Sequence, residues 1–208
     1  MIVTPVSTRT MNLAHLVEQN ARRLVDQPAF VWGDQTWTWA VLDARIKAMA
    51  AVFAAHGIEK GDRVLIQSRN NNQLFESMFA CFRLGAIWVP ANFRGAPDDL
   101  AWMAELSGAK LLLCDAAFPD HAAIKGPDTC LAIGYAEFAP DIDNLMAQHS
   151  GTIPSLAPVD RDDPCWFFFT SGTSGRPKAS ILTHGQVGFV INNHLCDLVP
   201  GTTHEDAS

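Results

Sequence analysis

The chain has 208 residues, of which 48% are hydrophobic and 18% are charged, and its formal net charge at pH 7 is −7. A chain of this length and composition can bury a core of its own, which excludes a disordered protein and a small domain held together by disulfides. The acidic balance, without any run of Lys or Arg, argues against nucleic acid or an anionic membrane as a partner. Any anionic ligand is therefore expected to be held by a local group of donors.

The cysteine and histidine residues predict neither a disulfide framework nor a zinc site. The cysteines are odd in number and none forms a C-x-x-C pair: Cys81, Cys114, Cys130, Cys165 and Cys196. The seven histidines show no H-E-x-x-H or similar ligand spacing. Isolated thiols of this kind are typical of a reducing compartment. Because residues 1–12 lack the apolar core of a signal peptide and no stretch approaches the ~20 apolar residues of a membrane span, we expect a soluble, cytoplasmic protein without a transmembrane segment.

The first predicted elements are a β-hairpin and a helix. Residues 30–32 and 36–38 have the composition of strands and flank a Gly-Asp turn. A helix that ends at Gly57 is predicted next. Its apolar positions recur every three or four residues: Leu42, Ile46, Met49 and Phe53.

Short apolar strands alternate with helices through the middle of the chain. The strands are predicted at residues 64–66, 87–89, 111–114 and 131–133. The helices are predicted around residues 74–82, from 97 to 106 and from 136 to 148. Strands that are apolar on both faces and alternate with helices indicate an α/β fold, with a mostly parallel sheet flanked by helices on both faces.

The most informative segment follows a polar connector at residues 150–164. Residues 165–169 are bulky and apolar, as in a central strand, and lead into a loop with four hydroxyl side chains, two glycines and two cations. The candidate phosphate-binding residues of this loop are Thr170, Ser171, Gly172, Thr173, Ser174, Gly175 and Lys178. Glycines let successive backbone N–H groups point at one anion, and a lysine adds a mobile point charge suited to phosphate.

This loop is not a Walker loop. Its spacing does not give G-x-x-x-x-G-K-[ST], and Lys178 leads into residues 179–182, which have the composition of a strand rather than a helix. A later helix is predicted from Thr183, which can form a capping box with Gln186. The buried stripe of that helix is expected to be Val187, Ile191, Leu195 and Leu198.

Several of these features also have a purely structural interpretation. A loop rich in Gly and Ser after a strand can be a simple turn, and Asp160, Asp162 and Asp163 can belong to a solvated linker rather than to a pair of catalytic carboxylates. His184 can be a buried structural histidine instead of a ligand contact. The tryptophan cluster at residues 32–39 can pack the hairpin against a helix instead of binding a ligand. No residue of the chain is assigned a catalytic role.

The ordered string FFFTSGTSGRPK at residues 167–178 resembles the signature of the AMP-binding, adenylate-forming superfamily. That superfamily contains acyl-CoA synthetases, nonribosomal-peptide adenylation domains and luciferases. Two upstream segments resemble family motifs in the same order, GDRV at residues 61–64 and GAIWVPAN at residues 85–92. The resemblance covers nearly the whole chain and implies the N-terminal part of an adenylate-forming enzyme fold, most like that of an acyl-CoA synthetase.

The resemblance also implies an AMP-forming ligase that uses ATP, Mg²⁺ and coenzyme A. In such enzymes a carboxylate attacks the α-phosphate of ATP, pyrophosphate leaves, and a thiol captures the acyl-adenylate. Residues 170–178 would hold the β- and γ-phosphates, and Thr170 would also approach the magnesium ion. The substrate is expected to be a small-molecule carboxylic acid, with a fatty acid and hence fatty acid metabolism favoured. A homodimer is compatible with the sequence.

The later elements of the family, including its C-terminal catalytic lysine, do not occur in this sequence. We therefore interpret the chain as the N-terminal part of a longer acid–thiol ligase and expect these residues alone to be inactive. An α/β subdomain is predicted at residues 1–159, and the truncated start of the adenylation core at residues 160–208. Two alternatives stay open: an adenylation domain that passes the acyl group to a carrier protein, and a non-catalytic nucleotide-binding module.

Overall fold

The computed structural model describes residues 11–170, 177–203 and 206, and these residues form helices and strands that alternate along the chain. The α-helices are α1 (Ala14–Arg23), α2 (Trp39–Ala55), α3 (Asn72–Leu84), α4 (Pro97–Ser107), α5 (Pro119–Ala122), α6 (Ile142–Gln148) and α7 (His184–Asn193). The strands are β1 (Pro28–Trp32), β2 (Gln35–Thr38), β3 (Arg63–Gln67), β4 (Ile87–Pro90), β5 (Leu111–Asp115), β6 (Thr129–Ile133), β7 (Pro164–Thr170) and β8 (Lys178–Thr183). A π-helical turn (His194–Leu198) follows α7.

Six strands form one sheet in the order β6-β5-β3-β4-β7-β8. Every neighbouring pair in it is parallel except β7 and β8, which are antiparallel. The strands β1 and β2 form a separate antiparallel hairpin, as the sequence predicts. The predicted α/β fold with a mostly parallel sheet is confirmed. The strands β7 and β8, from the segment that follows the polar connector, belong to the same sheet as β3–β6.

Alternate residues of the central strands enter two different cores, one on each face of the sheet. Val64 and Ile66 of β3 pack into a cluster that also contains residues of α2, α3 and α6. Leu65, between them, packs into a second cluster with Leu100 and Met103 of α4. Because a strand places successive side chains on opposite faces, a strand buried on both faces is apolar at its central positions, as β3 is at residues 64–66. This explains why the central strands show no polar alternation.

Both ends of α3 are stabilised by capping residues. The side chain of Asn71 accepts a hydrogen bond from the backbone N–H of Leu74 (2.8 Å) at the start of α3. Gly85 ends the same helix with a φ of 68°, and a Cβ atom there would lie 2.9 Å from Cγ1 of Val159. Glycine is therefore required both by the left-handed backbone and by the close approach of the connector.

Two predictions about helices are wrong. Residues 136–141 are not helical, and α6 begins only at Ile142, because Pro140 disfavours helical backbone before it and Asp141 caps the helix. The predicted buried stripe of α7 is also wrong in its last two members, whereas Val187 and Ile191 are partly buried and pack against the core. Leu195 is 49% exposed and Leu198 is 73% exposed. The α-helix ends at Asn193 and the chain continues as a π-helical turn, in which α-helical spacing no longer keeps residues on one face.

The neighbouring strands β3 and β4 are followed by helices on opposite faces of the sheet. Helix α3 contributes Phe82 to the cluster on one face, and α4 contributes Leu100 to the cluster on the other. Where the helices after two adjacent parallel strands diverge in this way, a crevice forms at the carboxyl ends of the strands, and ligands commonly bind there. In this chain that edge is marked by Gln67, the last residue of β3, and Pro90, the last of β4.

Candidate functional site

The predicted phosphate loop connects the two antiparallel strands β7 and β8. Thr170, the last residue of β7, lies directly opposite Lys178, the first residue of β8, and both are exposed. Five of the predicted ligands, Ser171, Gly172, Thr173, Ser174 and Gly175, lie outside the described residues. The structure therefore brings together the two ends of the loop and confirms that Lys178 leads into a strand rather than a helix.

The β7–β8 hairpin is held by hydrogen bonds at both ends of β8. The indole Nε1 of Trp102 in α4 donates a hydrogen bond to the carbonyl oxygen of Pro177 (3.2 Å). At the end of β8, the hydroxyl of Thr183 accepts a hydrogen bond from the backbone N–H of Gln186 (3.2 Å). In return, the side-chain oxygen of Gln186 accepts a hydrogen bond from the backbone N–H of Thr183 (3.0 Å). The predicted capping box is thus confirmed. These contacts anchor both Pro177 and the far end of β8.

Thr170 also borders a cavity of about 260 Å³ at the carboxyl ends of β3, β4 and β7. Its lining residues are Gln67, Ala91, Asn92, Gly95, Ala96, Asp99, Leu100, Met103, Phe169, Thr170 and Pro177. The cavity lies where the helices after β3 and β4 diverge, so the hairpin end and the topological switch point form one continuous edge. A ligand held at Thr170 and Lys178 would therefore lie beside a preformed depression.

His184 is a buried structural histidine. It is fully buried, and its Nδ1 atom accepts a hydrogen bond from the backbone N–H of Leu13 (3.4 Å). Its ring meets that of Phe82 edge-on, with 5.5 Å between the ring centroids. Burial lowers the pKa of His184 to about 4; the charge of Lys60 adds to this effect and that of Asp163 opposes it. The imidazole is therefore neutral near pH 7, and it fastens the segment before α1 to the start of α7.

The acidic residues of the connector form a turn rather than a catalytic pair. The carboxylate of Asp163 accepts from the backbone N–H of Asp160 (2.9 Å) and pairs with Lys60 (2.7 Å). The hydrogen bond from Lys60 lowers the pKa of Asp163 below its usual value. This arrangement supports the structural interpretation of Asp160 and Asp163.

A buried charge cluster between α2, α3 and α6 was not predicted. Both carboxylate oxygens of Glu76, whose side chain is fully buried, accept from Arg45 (2.5 and 3.0 Å), and Arg45 also donates to Asp143 (2.7 Å). Burial raises the pKa of Glu76, and the hydrogen bonds and charge of Arg45 oppose that rise. The signal for this cluster was available: Glu76 is an acidic residue inside an apolar helical stripe. The cluster borders an open groove of about 880 Å³ below the β1–β2 hairpin.

The predicted tryptophan cluster is mainly packing. Trp37 lies beside Phe30, with ring centroids 6.0 Å apart, and Trp37 and Trp39 pack around Val17 and Ile46. The hairpin is thereby fixed against α1 and α2. This favours the structural interpretation for Trp37 and Trp39, whereas Trp32 is 46% exposed and borders the open groove.

Other kinds of site are not found in the described part of the chain. No group of three or more His, Cys, Asp or Glu residues able to hold a metal ion occurs among residues 11–170, 177–203 and 206. All five cysteines are free, and burial raises the pKa of Cys165, on β7, to about 12, so this thiol is not a nucleophile near neutral pH. Within the same ranges, no helix is long and apolar enough to cross a membrane.

The comparisons with known proteins agree with the motif at residues 167–178. The family model described as "AMP-binding enzyme" matches residues 17–207. The chain is 33% identical over 196 residues to the crotonobetaine/carnitine–CoA ligase of Citrobacter koseri, covering 82% of this chain and 38% of that protein. It is 31% identical over 180 residues to the 3-hydroxybenzoate–CoA ligase of an Aromatoleum species, covering 80% of this chain and 33% of that protein.

Solved structures share the fold. The O-succinylbenzoate coenzyme A synthetase of Bacillus subtilis, solved in complex with AMP, matches 93% of this chain and 37% of its own with a TM-score of 0.77 and 29% identity. A benzoate–CoA ligase of Burkholderia xenovorans matches 87% of this chain and 36% of its own with a TM-score of 0.75 and 18% identity. The chain spans less than two-fifths of each of these four relatives. Since the family model matches nearly the whole sequence, the chain belongs to the family of AMP-binding enzymes.

Proposed function

We propose that this chain is the ATP-phosphate-binding part of an AMP-forming acid–CoA ligase. The observation that carries the proposal is the position of Thr170 and Lys178, which face each other at the carboxyl end of β7 at the two ends of a Gly- and hydroxyl-rich loop. The family match and the relatives named as CoA ligases support the same reaction class. The proposal keeps residues 1–159 as an α/β subdomain and residues 160–208 as the start of the adenylation core.

The charges of the chain fit a local phosphate site. The net charge of −7 repels a polyphosphate at long range, so that the binding energy must come from a few nearby donors. Lys178 is exposed and has no ion-pair partner within the described ranges, so its ammonium group is available to an anion. Ser171, Gly172, Thr173, Ser174 and Gly175 are proposed to supply hydroxyl and backbone N–H donors to the β- and γ-phosphates.

The oxygen donors of this site suit magnesium. A Thr170 hydroxyl together with phosphate oxygens provides hard oxygen ligands, and Mg²⁺ in nucleotide sites is usually bound by one or two protein groups and the phosphates. When bound there, the ion would neutralise part of the charge on the departing pyrophosphate. The protein groups at residues 170–178 would orient the polyphosphate chain and offset the charge that grows on it as the α-phosphate is attacked.

The remaining substrates are proposed to be a carboxylic acid and coenzyme A. A fatty acid stays our prediction, and the relatives named as ligases of crotonobetaine or carnitine and of 3-hydroxybenzoate add small and aromatic acids to the candidates. The five free cysteines support action in a reducing compartment such as the cytoplasm.

The proposal is tested on the polypeptide encoded by the complete reading frame, by acid-dependent exchange of pyrophosphate into ATP. We expect exchange with at least one acid from a panel of fatty, small and aromatic acids, followed by thioester formation with coenzyme A. Lys178→Ala should slow exchange by about tenfold to a hundredfold, since a charge-assisted phosphate contact contributes about 1.5–3 kcal/mol.

The same assay separates the alternatives. ATP binding without exchange for any acid would indicate a non-catalytic nucleotide-binding module and contradict the proposal. Exchange with thioester formation only on a carrier protein would leave the phosphate site standing and replace coenzyme A as the acceptor. The 208-residue chain alone should give no exchange. In the complete polypeptide, Lys125→Ala, a change at another exposed lysine, should leave the exchange rate unaltered.

A further inference from the structure

The cavity beside Thr170 has a chemistry different from that of a phosphate site. Apolar groups form much of its wall, including Leu100, Met103 and Phe169. Asp99 is the charged residue among those that line it, and its Oδ2 atom accepts a hydrogen bond from the backbone N–H of Ala96 (3.2 Å). A phosphate or carboxylate would therefore meet a carboxylate and no cation. An uncharged group is the better occupant.

Gln67 lines this cavity and carries a buried, unpaired hydrogen-bond acceptor. The residue is the last of β3, is only 1% exposed, and lies on the same face of the sheet as Leu65. Its Nε2 atom donates a long hydrogen bond to the carbonyl oxygen of Phe93 (3.4 Å). Its Oε1 atom is buried and has no hydrogen-bond partner in the part of the chain that the structure describes.

A buried carbonyl oxygen without a partner destabilises the folded state, and such atoms are uncommon in native proteins. A ligand that donates a hydrogen bond to this atom would recover that loss on binding. The position of Gln67 at the carboxyl end of β3, where the helices after β3 and β4 diverge, is also where ligands bind in open α/β sheets.

We propose that this cavity is a binding subsite for the uncharged, N–H-bearing part of a ligand, such as an amide group, whose donor reaches Oε1 of Gln67. The neighbouring methyl or methylene groups of the ligand would pack against Leu100, Met103 and Phe169. The subsite is separate from the phosphate contacts of Lys178. It does not depend on the ligase activity proposed above, so that either proposal can fail without the other.

The test compares two small probes on the 208-residue chain. N-methylacetamide carries an N–H donor, and N,N-dimethylacetamide has nearly the same shape and carries none. Binding is followed by the ¹H–¹⁵N signals of residues 91–103 and of the Gln67 side-chain amide. We expect N-methylacetamide to bind about two- to tenfold more tightly than N,N-dimethylacetamide, which is the ratio that one neutral hydrogen bond provides.

A matched pair of variants assigns that ratio to Gln67. Gln67→Met removes the acceptor at similar size and should bring the two probes to equal affinity, whereas Gln148→Met, at an exposed position of α6, should leave the ratio unchanged. Equal binding of the two probes to the unaltered chain would overturn the proposal, even if Gln67→Met fails to fold. So would the absence of any shift at residues 91–103, which would mean that the cavity holds water only.

Discussion

Replacing His184 with glutamine should remove a pH dependence from the stability of the fold. His184, the first residue of α7, is buried against Leu13 and Phe82, and burial lowers its pKa from 6.5 to about 4 in the folded chain. A histidine with a depressed pKa stabilises the folded state above its unfolded pKa, because the unfolded chain takes up a proton first as the pH falls. The contribution is therefore complete above about pH 6.5 and is lost as the pH falls toward 4.

The size of this effect follows from the shift. A pKa difference of 2.5 units corresponds to about 3.5 kcal/mol, since each unit is about 1.4 kcal/mol, and about 2 kcal/mol of it is lost at about pH 5. Urea unfolding of the wild type and of His184→Gln at several pH values measures it. Glutamine can still accept the hydrogen bond from Leu13 but does not titrate, so the other titrating groups cancel in the difference between the two proteins.

The difference in unfolding free energy, wild type minus variant, should fall by about 2 kcal/mol between about pH 8 and about pH 5. A difference that stays constant with pH would refute the reasoning, because it would mean that His184 is solvated or already protonated in the folded chain. An increase at low pH would show that the histidine gains an acidic partner, with Asp163 the nearest candidate.

Three further substitutions and one control substitution test other parts of the structure by urea unfolding. Phe53→Ala, at a fully buried position of α2, should lower the unfolding free energy by about 3–5 kcal/mol, whereas Val31→Ala, at a residue 62% exposed, should change it by less than about 0.5 kcal/mol. Thr183→Ala removes the capping box of α7 and should cost about 0.5–2 kcal/mol; no loss would mean that the cap does not hold the helix. Glu76→Gln leaves Arg45 short of a buried partner and should cost about 3 kcal/mol, and an unchanged stability would show that Asp143 alone satisfies the guanidinium.

The parallel sheet could be predicted because its signal is local. The apolar triplets of β3 to β6 and the helical spacing of α2 and α3 are strong patterns, and Gly85 lies at the predicted end of α3. The order of the strands could not be read, since β4 pairs with β7 across a long stretch of chain and nothing in either strand specifies its neighbour. The sequence pattern predicts the start of α6 too early, because the apolar spacing extends across Pro140, before which helical backbone is disfavoured.

The candidate site was predictable in part for the same reason. The loop motif is a continuous string, and the strands at both of its ends follow from the residues around it. The neighbouring cavity was not predictable, because its walls come from the ends of three strands and the start of α4, which only the fold brings together. The role of Gln67 could not be predicted from the sequence, where it is a polar residue directly after the strand predicted at residues 64–66. The sequence allows both a structural and a ligand-binding role for His184, and only its burial against Leu13 and Phe82 decides between them.

The most direct test of the central claim is polyphosphate binding by the 208-residue chain. Calorimetric titration with magnesium tripolyphosphate, which has three linked phosphates and no adenine, isolates the proposed role of residues 170–178. Lys178→Ala should weaken binding by about tenfold to a hundredfold, while Lys125→Ala should change it by less than about twofold, since only the first lysine lies at the loop. Equal binding by the two variants would contradict the assignment of this hairpin as the phosphate site.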